Sequence, residues 1–179
     1  MAITRLGPNN STNISGVNLT SQVTGTLPTG NGGTGATSFS TAKVLQVVTS
    51  VPTSNFSTSS TSLVDTPYSV TITPTATNSK MIVEFSGNWA SDPDGRNQVA
   101  VQTNSSGSYA TIKTSSYASW NNSSGSGSMD TVRVIESPIG TTNAVTYKLQ
   151  TKIISSGQTM YVPINSNDAA LSTVYEIAG

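Results

Sequence analysis

Residues 144–153 read AVTYKLQTKI. Val145, Tyr147, Leu149, Thr151 and Ile153 alternate there with Thr146, Lys148, Gln150 and Lys152. Successive side chains of a strand point to opposite faces, so a period of two predicts a strand with one face in a core and one in water. A helical stripe would need apolar residues both three and four apart in a sustained series, and the strict alternation here is not that pattern. The same period recurs on both sides of this segment. Tyr68, Val70 and Ile72 alternate with Ser69, Thr71 and Thr73, and SKMIVEFSGNWA (79–90) sets Met81, Val83 and Phe85 on one side. NQVAVQT (97–103) offers Val99 and Val101, MDTVRVIES (129–137) offers Val132 and Val134, and LSTVYEIAG (171–179) offers Leu171, Thr173, Tyr175 and Ile177 as its apolar side. Residues 43–51, a weaker YATIKTSSYASW (109–120) and MYVPI (160–164) complete the set. Turn formers separate these runs, among them ATNS (76–79), SDPDG (91–95), NNSSGSGS (121–128) and NSND (165–168). About eight or nine short strands with no sustained helical period predict an all-β chain, an antiparallel jelly-roll-like β-sandwich.

Composition narrows the function. Ser (30) and Thr (28) make up nearly a third of the 179 residues, while only 9% are charged, so hydroxyls and amides must coat the surface. Eight Lys plus Arg balance eight Asp plus Glu. This neutrality argues against disorder and lacks the basic footprint that nucleic acid requires. With neither cysteine nor histidine, the chain has no disulfide framework, no zinc site of the usual ligands and no Ser-His or Cys-His nucleophile. MAITRLGPNN at the start has no apolar signal core, and no apolar run approaches the ~20 residues that span a bilayer. We therefore expect neither general secretion nor membrane insertion.

Composition changes near Thr41. We divide the chain into an extended N-terminal segment, residues 1–42, and a sandwich domain, residues 43–179. Residues 23–39 read VTGTLPTGNGGTGATSF, with five glycines and one proline. Such a segment cannot bury enough area to offset an ordering cost of about 1–2 kcal/mol per residue. Yet Ile14, Val17, Leu19, Val23, Leu27 and Phe39 are more apolar than a solvated tether needs. These six are the expected contacts to sister chains or to a larger particle. The last strand pattern reaches almost to residue 179, so the N-terminal segment is the expected free appendage.

The run LTSQVTGTLPTGNGGTGATSF (19–39) resembles the TGTLP-x-x-NGGTG segment of bacteriophage tail-fibre and related virion-fibre proteins. The ordered set SKMIVEFSGNW (79–89), SPIGTTNAVTYKLQTKI (137–153), MYVPI (160–164) and STVYEIAG (172–179) is similar to a β-sandwich module at the ends of such proteins. The two resembling parts, 19–39 and 79–179, together cover about 70% of the chain. The resemblance implies a homotrimer. With one glycine-rich segment and 18 residues before it, the chain fits a short fibre or knob better than a long leg.

Little suggests catalysis. Asp92, Asp94 and Asn97 in SDPDGRN (91–97) supply oxygens for a cation, but Asp-Pro-Asp-Gly is also a near-ideal tight turn, and we expect no metal. Asp130 and Glu136 share a strand face about 20 Å apart, beyond the ~5–9.5 Å that a glycosidase pair needs. Surface binding is the better expectation. Tyr117, Trp120, Asn121 and Asn122 flank the Gly/Ser loop and suit stacking on sugar, and Trp89 with Asp92, Asp94 and Arg96 forms a second such group. The expected protein is a non-enzymatic, cofactor-free phage virion component made in the bacterial host cytoplasm. Its N-terminus holds it to tail, portal-proximal or capsid proteins, and its head contacts the host surface, with envelope glycan as a candidate ligand. The alternative is a capsid decoration protein that reinforces the shell.

Overall fold

A computed structural model describes residues 43–92, 95–115, 118–120, 128–162 and 170–179, with residues 118–120 and 128 as backbone. The chain forms β1 (Val44–Ser50), β2 (Ser57–Thr58), β3 (Val64–Ile72), β4 (Lys80–Asp92), β5 (Gly95–Thr103), β6 (Ala110–Thr114), β7 (Ala118–Trp120), β8 (Ser128–Glu136), β9 (Val145–Ile153), β10 (Thr159–Tyr161) and β11 (Leu171–Ile177). No helix occurs among the described residues.

Two antiparallel sheets result. The first runs β1-β11-β4-β10-β2, with β8 also paired to β4; the second runs β3-β9-β5-β6, with β7 also paired to β5. Setting aside the short β2, β7 and β10, the long strands fall in the order 1-8-3-6 in one sheet and 2-7-4-5 in the other. That is the jelly roll, so the expected fold class holds. Three details differ. The pattern at 109–120 divides into β6 and β7, both laid along β5. The two-residue β2 is too short to show a period. Pro67 sits where the β3–β9 register shifts between Asp65 and Ser69, a bulge that tolerates a residue with no N–H to give.

The core lies between the sheets, and β9 reads as expected, with Val145, Tyr147, Leu149, Thr151 and Ile153 all buried. Tyr68, Val70 and Ile72 of β3 and Val99 and Val101 of β5 join them from the same sheet. Met81, Val83, Phe85 and Trp89 face them from β4. Trp89 is therefore a core residue, 0% exposed, and not part of a surface platform. Its Nε1 donates to the Tyr68 hydroxyl at 3.1 Å, and Tyr68 meets both Trp89 and Phe85 edge to face, with centroids 6.1 and 6.3 Å apart. Burial pushes the Tyr68 hydroxyl up to about 12, against the opposing effect of the Trp89 hydrogen bond. The period from Met81 through Phe85 needs a residue at 87 that also points inward, and glycine stands there. A Cβ at this position would overlap the Tyr68 hydroxyl.

β11 departs from the expected phase. Ser172, Val174 and Glu176 point into the core, while Leu171, Tyr175 and Ile177 are half-buried on the opposite face. Register dictates this: Ser172, Val174 and Glu176 pair with Phe85, Val83 and Met81, whose side chains already face inward. Paired residues in an antiparallel ladder share a face.

The fully buried Glu176 is tied to two other segments, β1 and the β3–β4 connection. It accepts from Gln46 Nε2 at 2.6 Å, and from the Thr75 backbone N–H and hydroxyl at 2.7 Å each. Burial alone would raise its carboxyl, but hydrogen bonding from Ser79, Gln46 and Thr75 outweighs that and brings it from 4.5 to about 2. Glu136, across β4 from Glu176, accepts from the Ser105 hydroxyl at 2.5 Å and the Tyr147 hydroxyl at 2.7 Å, joining the two sheets. Burial, then the adjoining carboxylate, drives the Tyr147 hydroxyl far above its ordinary value.

Two outcomes are expected. Gly87→Ala must displace Tyr68 or β4, and overpacking of this kind costs about 1–3 kcal/mol, read as a lower midpoint in chemical denaturation. The Glu176 carboxyl is depressed in the folded state, so its contribution is complete above pH 4.5 and is lost as pH falls towards about 2. That contribution is ~3 kcal/mol at neutral pH. Glu176→Gln should remove much of it at pH 7 and flatten the acid limb of a stability-against-pH curve between pH 4.5 and 2.

Candidate functional site

The two outer faces of the sandwich differ in chemistry. On the second sheet, the Thr71 and Thr146 hydroxyls hydrogen-bond at 2.8 Å, Lys148 pairs with Asp65 at 2.9 Å, and Gln150 donates to Asp65 at 2.7 Å. Burial would raise the Asp65 carboxyl, but the Gln150 and Lys148 hydrogen bonds prevail and lower it. The bond to Asp65 raises the Lys148 ammonium, which also lies 4.0 Å over the ring of Tyr109. This surface is polar, and its Asp65 and Lys148 charges are paired with one another.

The first sheet is otherwise. Its outward residues form rows across β1, β11, β4 and β8. One row is Val47, Tyr175, Ile82 and Ile135, each paired in turn with the next. The row beside it is Thr49, Thr173, Glu84 and Arg133. Beyond the first row lie Val44, Ile177 and the exposed Lys80, again successive partners. Val44 and Val47 are 50% exposed, Ile135 59% and Met129 62%. Val44, Ile82, Tyr175 and Ile177 line an open trough of about 320 Å³, with Glu84 and Arg133 at its side. The Arg133 guanidinium pairs with the Glu84 carboxylate, and the Tyr175 hydroxyl donates a long 3.5 Å bond to the same group. The central charges thus cancel within one chain.

Contiguous apolar surface across four strands is unusual on a protein that works alone in water. A strand apolar on both sides is one meant to be covered on both sides. β4 carries Ile82 opposite Val83, β8 carries Ile135 beside Val134, and β11 carries Tyr175 and Ile177 opposite Val174. The arrangement suits contact with a second macromolecular surface. It brings no nucleophile and base together, and the described residues contain no group of three or more metal-ligating side chains.

The residues expected from sequence fall elsewhere. Ile14, Val17, Leu19, Val23, Leu27 and Phe39 lie outside the described residues, as do Tyr117, Asn121, Asn122 and Asp94. The backbone of Trp120 pairs with that of Gly95 at the end of β7. Asp92 is exposed at the end of β4, whereas Asn97 is fully buried in the core beside Ile153. Neither Nδ2 nor Oδ1 of Asn97 has a partner among the described residues. Asp92 and Asn97 therefore do not converge on a common cation. Asp130 and Glu136 do share the inward side of β8, and both carboxylate oxygens of Glu136 are engaged by Ser105 and Tyr147. The sequence reading missed the outer face of the first sheet. Its signal was apolar residues in both phases of the same strands.

No family model matches the chain, and no curated protein matches it. Similar solved structures include the VP2 subviral particle of infectious bursal disease virus, with 10% identity and a TM-score of 0.40 over 74% of this chain and 40% of that chain. A structure of the Gx strain of infectious bursal disease virus gives 8% identity and a TM-score of 0.39 over 74% of this chain and 37% of that one. The chain thus spans about two fifths of the length of these neighbours.

Proposed function

We propose that this chain is a non-enzymatic structural protein of a bacteriophage particle. In this reading it is a short trimeric fibre or knob, held to the particle by its N-terminal segment, with the jelly roll as a head for contact with the host surface. The observation that carries the reading is the chemical asymmetry of the sandwich, with one outer face polar and the other crossed by an apolar row over four strands. A head of this kind is built to have one side covered and the other wet. The TGTLP-x-x-NGGTG segment at 24–35 supports the phage assignment, and Ile14, Val17, Leu19, Val23, Leu27 and Phe39 are the side chains assigned to attachment. Tyr117, Trp120, Asn121 and Asn122 are the proposed sugar-contacting group, of which the backbone of Trp120 pairs with Gly95.

The oligomeric part is checked by mass in native solution, where three times 18.4 kDa is expected. Position is checked by gold-labelling the protein on intact particles in electron micrographs. Label on the tail is expected, and label spread over the shell would instead assign capsid decoration. For the head, binding to host envelope polysaccharide should fall at least tenfold in Trp120→Ala, and absence of binding by the native protein would remove the adhesive role.

A further inference from the structure

The outer face of the β1-β11-β4-β8 sheet carries one continuous apolar row, Val47, Tyr175, Ile82 and Ile135, with Val44, Ile177 and Lys80 on one side of it and Thr49, Thr173 and the mutually satisfied Glu84 and Arg133 on the other. We infer that this face is the contact between copies of the chain, three sheets closing around one axis with the row Val47, Tyr175, Ile82 and Ile135 as an apolar layer. The inference rests on the trimeric reading above and adds to it which surface forms the contact and how neighbours align.

Dimensions favour three copies. Four strands at ~4.8 Å spacing give a face about 19 Å wide. Three such faces arranged as a triangular prism have an inscribed radius of about 5.5 Å, close to half the ~10 Å at which packed sheets meet. Side chains of ordinary length then fill the axis without a channel and without overlap. At ~3.3 Å per residue, seven paired levels make the face about 23 Å long. The plan area is then roughly 440 Å² per copy, which the relief of side chains raises towards the ~800 Å² per partner found in stable interfaces. A closed ring also leaves no open apolar end on which further copies could add.

Registry follows from the rows. A three-fold rotation preserves height along its axis, so β1 of one copy meets β8 of the next with Val47 level with the neighbour's Ile135. One level along, Glu84 and Arg133 form a ring of alternating charge, in which each guanidinium reaches its own carboxylate and approaches the next. Any copy shifted along the axis would set this polar ring against the apolar layer and leave charges without partners. That penalty fixes alignment better than a uniformly greasy face would.

The chain contains no cysteine, so any disulfide reports only introduced residues. Val47 and Ile135 of one chain are separated by three strand spacings, ~14 Å, too far for an internal disulfide. Oxidation of the double variant Val47→Cys with Ile135→Cys should therefore give a covalent trimer on a denaturing gel, reversed by reductant. Neither single variant should give one, nor should Thr71→Cys with Lys152→Cys on the polar sheet. Ile82→Asp should lower the native mass threefold, and Ile135→Lys, at an exposed edge position, repeats the test should Ile82→Asp fail to give the β-sheet circular dichroism of the native chain. A native trimer that gives no covalent trimer and survives both Ile82→Asp and Ile135→Lys would overturn this contact while leaving the trimeric reading intact. A covalent dimer alone would overturn the three-fold closure. A folded monomeric native chain would overturn both the contact and the trimer.

Discussion

The register of β11 against β4 is the constraint from which the rest follows. Val174 opposite Val83 commits Ser172, Val174 and Glu176 to the core and sends Leu171, Tyr175 and Ile177 outwards. Because β11 lies between β1 and β4, the same choice propagates to Val47 on one side and, through Ile82, to Ile135 on the other. A slip of one residue would exchange the two faces of β11, burying Tyr175 and exposing Glu176. Glu176 resists that slip. In the observed register its carboxylate is met by Gln46 and Thr75, and no other arrangement of β11 brings it to those groups. A charged residue in the core thus specifies which side of the strand faces out.

Two inward-facing glutamates occur at one level of the first sheet. Gln46, Glu176, Met81 and Glu136 are successive partners across β1, β11, β4 and β8. The two carboxylates flank Met81, each held by hydrogen bonds to segments outside its own strand. Buried charge is costly unless its oxygens are satisfied, and here both oxygens of each carboxylate have donors. Farther along, Tyr68, Phe85 and Trp89 fill the same space with aromatic rings, and only the absence of a side chain at Gly87 leaves room for the Tyr68 hydroxyl. One part of the interior is organised by hydrogen bonds and another by shape.

Much of this fold was legible in the sequence, because strands with one wet face advertise their phase. β3 and β9 alternate apolar with hydroxyl or charged residues, and their inward sides are the ones that the pattern names. β11 was misread because its outward Leu171, Tyr175 and Ile177 are greasier than its inward Ser172 and Glu176, and hydrophobicity alone assigns the greasier side to the core. The partners that reverse that assignment, Gln46 and Thr75, are 130 and 101 residues distant in the chain, so no local window contains them. Trp89 stands near Asp92 and Arg96 and so resembles a surface platform, yet it continues the inward series from Met81. The apolar row on the outer face stayed hidden because its residues come from four strands remote in sequence.

β11 is the last strand in chain order, yet it sits inside the first sheet between β1 and β4. During synthesis, β1 through β10 can leave the ribosome without the piece that joins β1 to β4 in that sheet. Until it arrives, β1 and one side of β4 present unpaired ladders, the kind of edge that invites wrong partners. Completion of the first sheet therefore waits on β11, and until it pairs, the outer row of Val47, Tyr175, Ile82 and Ile135 is broken in the middle.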